Sequence, residues 1–259
     1  MRESFKELWY FGIASLRASY FGAFLLSVFF LTEVVSIPGI SRYDTIFLAA
    51  VGFQVCALLF KFEQIKEFFV IIVFHILATI MELFKTSPGI GSWIYPGTGD
   101  AIFVLATVPL FSGFLYSAIG SYISRAFTFL NLTYVRFPAY FHLWIVAILI
   151  YLNFFTHHFF FDIRYFLFAY ILIIFWKTEV RYRVYKKERR MPFLVTVLLT
   201  SFFVWIAENV GTYTRIWLYP NQLRHWELVP LEKMGSWFLL LMLSFALVSI
   251  IYRERLKRY

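Results

Sequence analysis

Residues 138–176 read PAYFHLWIVAILIYLNFFTHHFFFDIRYFLFAYILIIFW, and this one stretch decides the fold class. Only Asp162 and Arg164 interrupt it with a full charge. A helix crosses the hydrocarbon core of a bilayer with about 20 apolar residues, within a working range of about 17 to 25. The stretch is too long for one crossing and fits two, near 138–156 and 159–176, divided around Thr156-His157-His158. Water offers no home for two such segments. The bilayer does, because lipid-facing positions need no polar cover provided the backbone is satisfied within each helix.

The rest of the chain agrees. Hydrophobic residues make up 61% of its 259 residues and charged ones 15%, against about 25% charged in an ordinary soluble domain. Further apolar runs near 18–36, 45–61, 67–84, 101–124, 192–210 and 235–252 bring the expected number of spans to about eight. The expected class is therefore all-α: a polytopic transmembrane helical bundle. Arg2, Lys6 and Arg17 punctuate the start of the chain, and no small-residue cleavage site follows an apolar stretch. The first span is expected to be retained rather than removed as a signal peptide.

Charge placement predicts an orientation. With the N-terminus inside, 18 of the 24 Lys and Arg residues fall on the inner side, the bias described by the positive-inside rule. Both termini are then cytoplasmic. This bias accounts for the net charge of +9 without nucleic acid as a partner. The run KTEVRYRVYKKERR at 177–190 reads as a cytoplasmic loop touching anionic lipid headgroups. The single cysteine, Cys56, lies in an apolar run and excludes a disulfide framework.

Two segments resemble each other. Glu82-LFKTSPGIGS-Trp93-Ile94-Tyr95-Pro96 is followed by Val108-Pro109-Leu110, and Glu208-NVGTYTRI-Trp217-Leu218-Tyr219-Pro220 by Val229-Pro230-Leu231. Each has a carboxylate at the end of an apolar run, a Gly-containing loop, a W-x-Y-P tetrad and a V-P-L tripeptide. The simplest reading is a parallel duplication of a four-span unit, with halves 1–129 and 130–259 and both loops on the outer side, as in parallel-repeat transporters.

Glu82 and Glu208 are the candidate catalytic residues. A carboxylate inside a membrane is costly unless neutralised, paired or hydrated, and a carboxylic acid kept protonated can donate a proton. The alternative is that both sit at the interface and hold the outer loop. Trp93, Tyr95, Trp217 and Tyr219 are candidate substrate-binding residues, whose ring faces could stabilise a developing cation. Trp and Tyr are also enriched at membrane interfaces regardless of function. Asp100 and Arg224 each follow a tetrad proline by four residues and could pair across the two halves. His75 lies two helical turns before Glu82 on the same face, as a polar member of the site or as a packing residue. Five histidines, of which only His157-His158 are adjacent, do not make the boxes of a di-iron enzyme. No phosphate loop, nucleotide fingerprint, zinc signature or nucleophile elbow appears, so no metal or cofactor is expected.

The start, MRESFKELWYFG, and the stretches ELFKT at 82–86 and GSWIYP at 91–96 resemble a bacterial integral-membrane family, domain of unknown function 817. The resemblance implies a multi-pass protein of the bacterial inner (cell) membrane. Shorter motifs resemble membrane carotenoid hydratases and the related small lycopene cyclases. These are Glu82, then Gly91-Ser92-Trp93-Ile94-Tyr95 and Val108-Pro109-Leu110, and later Val229-Pro230-Leu231 followed by Gly235-Ser236-Trp237. This chain departs from that pattern in having Trp93 in place of the first tyrosine and a Glu-to-Gly spacing two residues shorter. The resemblance implies a carboxylic acid that protonates an isoprenoid double bond.

Three functions follow as expectations. The first is an enzyme of isoprenoid or carotenoid-like lipid chemistry, a hydratase or cyclase with Glu82 as acid, Glu208 as second carboxylate and an apolar lipid-like substrate entering from the bilayer. The second is a small-solute transporter or channel, against which the apolar middles of the spans weigh. The third is a non-catalytic membrane assembly factor. Nothing in the sequence fixes an oligomeric state.

Overall fold

The computed structural model describes residues 2–257, apart from the side chains of Arg2, Ser4 and Lys66. Of the basic residues used to orient the chain, Arg258 and those of Arg2 and Lys66 therefore lie outside the described side chains. The described chain is predominantly helical. Its helices are α1 (Arg2–Ala18), α2 (Tyr20–Val34), α3 (Arg42–Leu59), α4 (Ile65–Lys85), α5 (Ser112–Phe129), α6 (Tyr140–Thr156), α7 (Arg164–Phe175), α8 (Phe193–Tyr213) and α9 (Lys233–Ser249). Five short strands join them: β1 (Val104–Leu105), β2 (Val108–Pro109), β3 (Thr133–Val135), β4 (Glu179–Tyr182) and β5 (Arg189–Pro192).

Three helical segments are long and apolar enough to cross a membrane: Arg42–Leu59, Glu67–Lys85 and Phe193–Tyr213. A fourth is added if α1 and α2 count as one broken span. The expected eight crossings in a duplicated four-span bundle are not supported. Each apolar run does contain a helix, but most lose length to local structure. The 101–124 run spends its first part on the β1–β2 hairpin. The 159–176 run yields only the 12 residues of α7, because Asp162 ties its start into a turn. Its carboxylate accepts from the Arg164 backbone N–H at 2.9 Å and from the Asn153 amide at 3.0 Å. The chain is also not wholly α. The basic run 177–190, read as a loop, contains the β4–β5 hairpin, completed by β3 into a three-stranded antiparallel sheet ordered β3-β4-β5.

Two compact units interleave along the chain, rather than dividing it at residue 129. One comprises residues 1–20, 120–203 and 234–259. Its core is a ring cluster in which Tyr134 of β3 meets Phe127, Phe193 and Phe245 at 5.0 to 5.7 Å between centroids. Within it α9 is buried from Phe238 to Ser249.

The other unit comprises residues 21–119 and 204–233. Its core packs Val28, Phe29, Tyr43, Ile46, Tyr95, Phe111 and Ile216. Ser41 caps α3 by accepting from the Asp44 N–H at 3.0 Å. The Asp44 carboxylate in turn accepts from the backbone N–H groups of Ile102 and Phe103, the latter at 2.8 Å. One short side chain thus fastens the loop that leads into β1 by accepting from two successive backbone N–H groups.

Candidate functional site

Both W-x-Y-P tetrads lie in this second unit, and they meet. Ile94 N–H donates to the Leu218 carbonyl and Leu218 N–H to the Ile94 carbonyl, both at 2.9 Å, in an antiparallel bridge. The proline that ends each tetrad disfavours helix before it, so the preceding residues are extended and available to pair. In an antiparallel pair the neighbours of the bridged residues face each other. The Trp93 and Tyr219 rings accordingly stand edge to face, 6.3 Å apart at 79°.

Each tetrad serves the glutamate that precedes it. Glu82, one turn from the end of α4, is 2% exposed. Its Oε2 accepts from the Trp93 indole N–H at 2.8 Å and the Tyr95 hydroxyl at 2.9 Å. Its Oε1 accepts from the Tyr116 hydroxyl of α5 at 2.7 Å. Glu208, in the last part of α8, is 3% exposed and accepts from the Tyr219 hydroxyl at 2.5 Å. The two tetrad tyrosines therefore do the same work on the two carboxyl groups. Burial pushes the Tyr95 phenol well above its ordinary pKa, and the Glu82 charge adds to the shift. Burial does the same for Tyr219, where Glu208 and then Glu82 contribute. Both phenols thus remain protonated donors, and the Trp93–Tyr219 ring contact brings the two glutamate-bound tetrads together. Lys233 Nζ lies 4.2 Å from the centre of the Tyr219 ring.

Aromatic rings surround the carboxyl groups. Tyr95 and Phe111 meet edge to face at 6.2 Å, as do Phe29 and Phe111, and Phe29 meets Trp217 at 6.4 Å. Tyr43 donates to the Ile216 carbonyl at 2.6 Å, fixing the segment just before the second tetrad. The six-membered ring of Trp217 packs against Gly211. A Cβ there would come within 2.1 Å of its ring, so the close approach requires glycine.

The remaining sequence candidates stand apart from this cluster. His75 packs edge-on against Phe114 at 4.8 Å and passes so close to Gly113 that a Cβ there would meet its ring at 2.5 Å. These contacts place it between α4 and α5. Asp100 and Arg224 are both exposed, and among the described residues no ion pair joins them. Exposure leaves neither charge needing the pairing that their spacing suggested. Among the described residues no three His, Cys, Asp or Glu side chains converge as a metal site. The sequence reading missed Tyr116 and Lys233. Tyr116 is a phenol within the apolar run 101–124, and counting polar groups in that run would have found it.

Comparison with known proteins agrees with the resemblance to domain of unknown function 817 and does not show the one to carotenoid hydratases and small lycopene cyclases. Residues 7–245 match the family described as protein of unknown function (DUF817). The chain is 38% identical over 244 residues to the uncharacterized protein YoaT of Bacillus subtilis (strain 168), covering 94% of this chain and 91% of that protein. No solved structure matches. A family match over nearly the whole chain, with a relative aligned almost end to end, means that the chain belongs to the DUF817 family.

Proposed function

We propose that this protein is a multi-pass membrane enzyme that protonates a carbon–carbon double bond of a long apolar lipid of the isoprenoid or carotenoid type, giving a hydrated, cyclised or isomerised product. The observation that carries the reading is a pair of buried carboxyl groups, each served by the tyrosine of its own tetrad, with the two aromatic tetrads paired to each other. The short-motif likeness to carotenoid hydratases and small lycopene cyclases supports the same chemistry.

The hydrogen bonds restrict where a catalytic proton can sit. The Trp93 N–H can only donate, and Tyr95 donates to the same oxygen, so Oε2 of Glu82 is filled as an acceptor. A proton on Glu82 then resides on Oε1. There it faces the Tyr116 hydroxyl, which can turn from donor to acceptor. In the proposed step the Oε1–H bond breaks as a C–H bond forms with the electron pair of the C=C bond. The cation left on the neighbouring carbon is stabilised by ring faces such as Tyr95 and Trp217. Water then adds through its oxygen and gives one proton to the carboxylate pair, which restores the acid and leaves an alcohol. Loss of a proton from an adjacent C–H to the same pair gives the isomerised or cyclised product. Neither route requires a cofactor.

The charge distribution supports placing the protein in the bacterial inner membrane with both termini cytoplasmic. The paired tetrads support reading their two loops as copies of one motif. The substrate enters from the lipid phase. The test is expression in hosts that make linear carotenoids or prenyl alcohols, followed by lipid profiling. The proposal expects a new product with wild type that is absent with Glu82→Gln. Identical profiles across several hosts would remove its basis, and Glu82-dependent solute uptake by proteoliposomes would favour transport instead.

A further inference from the structure

Helix α1 belongs to the first compact unit and has two opposed faces. Glu7 and Ala18 are buried at 8% and 1% exposure, and with Phe11 they share one side of the helix. Phe5, Leu8, Trp9 and Leu16 project from the other side and are between 62% and 69% exposed. The buried side is clasped to the β4–β5 hairpin. Glu7 Oε1 accepts from the backbone N–H groups of Lys186 and Lys187 at the hairpin tip, both at 3.2 Å. Tyr10 stacks on Tyr185 at 4.7 Å with the rings 8° from parallel, and Phe11 meets Tyr182 at 5.4 Å. Within the hairpin, Glu188 faces Arg181 at 3.7 Å and Arg183 at 3.8 Å. Lys186, Lys187, Arg189 and Arg190 are exposed and, among the described residues, enter no ion pair.

We infer that α1 and the β4–β5 hairpin form one platform that lies on an anionic lipid surface, with Phe5, Leu8, Trp9 and Leu16 entering the acyl boundary and the hairpin cations holding lipid phosphates. Two demands meet in this one clasped pair, the apolar side of α1 pointing away from the hairpin. The apolar side of α1 needs an apolar cover, and the four hairpin cations beside it need anions. An anionic leaflet supplies both within one headgroup depth, as it does for amphipathic helices that lie in the membrane interface. Glu7 is a positioning residue. Its carboxylate fixes the backbone from which Lys186 and Lys187 project. The sequence suggested headgroup contact for the basic run alone. The clasp adds α1 to that contact and gives it a fixed geometry. The inference is independent of the chemistry proposed for Glu82 and Glu208.

The experiment uses the full chain in phosphatidylcholine proteoliposomes. A minor fraction of brominated lipid is present as phosphatidylglycerol or, in parallel, as phosphatidylcholine. Trp9 emission is isolated by subtracting the spectrum of Trp9→Phe. Brominated phosphatidylglycerol is expected to quench Trp9 several-fold more than brominated phosphatidylcholine at equal fraction. Lys186→Gln with Lys187→Gln should remove most of that preference, given the strength of lysine attraction to anionic leaflets, while quenching by brominated phosphatidylcholine persists. Arginine at both positions should restore the preference, which separates loss of charge from loss of fold. Equal quenching by the two lipids in wild type, or no quenching of Trp9 by either, would overturn the inference. So would loss of the preference on adding inorganic phosphate at constant ionic strength, which would mark a site for free phosphate.

Discussion

Replacing Glu82 by glutamine and by leucine should separate two very different losses. The carboxylate accepts three hydrogen bonds, from Trp93, Tyr95 and Tyr116, in a site where it is 2% exposed. Glutamine keeps the shape and one carbonyl oxygen, which can go on accepting from Trp93 and Tyr95. Its amide N–H₂ then faces Tyr116, whose hydroxyl turns to accept. What is lost in the ionised form of the site is the charge assistance of these bonds, about 1 kcal/mol each, and in the protonated, proton-donating form glutamine loses less. Hydrogen bonds in membrane proteins average about 0.6 kcal/mol and reach about 1.7, so the total for Glu82→Gln should be about 1 to 2 kcal/mol. Leucine leaves an indole N–H and two phenols without an acceptor, at about 1 to 3 kcal/mol for each stranded group. Glu82→Leu should therefore cost about 3 to 6 kcal/mol even after partial relaxation. Thermal unfolding of the purified protein in detergent, read by tryptophan emission and by loss of monodispersity, checks the order. A leucine variant as stable as wild type, or less damaging than glutamine, would refute the claim that this carboxylate organises the two tetrads.

Other expectations follow from single contacts. Gly211→Ala sets a methyl within 2.1 Å of the Trp217 ring. It should lower stability by about 1 to 3 kcal/mol, with recovery in the double variant with Trp217→Leu, both read as a shift in Tm. Asp44→Ala releases the Ile102 and Phe103 N–H groups at about 0.5 to 1.5 kcal/mol each. It should speed proteolysis of the 98–107 loop, while Asp44→Asn should do so far less. Asp162 is pushed up by partial burial, but the Arg164 backbone N–H, the Asn153 amide and the Arg164 guanidinium outweigh this and hold its carboxyl below the usual range. A carboxyl with a depressed folded pKa contributes its stability above the unfolded pKa of about 4 and loses it as pH falls through the lower folded value. Wild type should thus lose about 1 kcal/mol over that acid window, and a Tm-against-pH series should show this slope removed in Asp162→Asn.

Much of this arrangement was written in the sequence, and the rest was absent for physical reasons. The two W-x-Y-P tetrads were legible because composition repeats at matched spacing after Glu82 and Glu208. Their pairing through Ile94 and Leu218 was not, because nothing in a single chain specifies which extended segments meet. Apolar runs signalled helices in the right places. They overstated the number of crossings because hydropathy does not register a turn such as the one Asp162 builds, or a hairpin such as β1–β2. The basic run 177–190 was read as a loop because charge masked its alternation. Val180 points inward at 2% exposure while Arg181 is exposed, the period-two signature of a strand. Tyr116 was visible as a lone phenol in an apolar run, but its pairing with Glu82, 34 residues away, lies beyond any local pattern. Asp100 and Arg224 were matched by spacing alone, and spacing says nothing about exposure.

The central claim, that Glu82 and Glu208 deliver a solvent-derived proton to carbon, is tested most directly by isotope incorporation. Proteoliposomes containing the full protein and a mixture of linear polyisoprenoids would be incubated in heavy water, and the extracted lipids read by mass spectrometry after back-exchange in ordinary water. A hydration or cyclisation that begins with C=C protonation leaves one non-exchangeable deuterium on the product carbon. Wild type should produce that label, and Glu82→Gln and Glu208→Gln should not. Unlabelled lipids with wild type, or equal labelling with both glutamine variants, would contradict it.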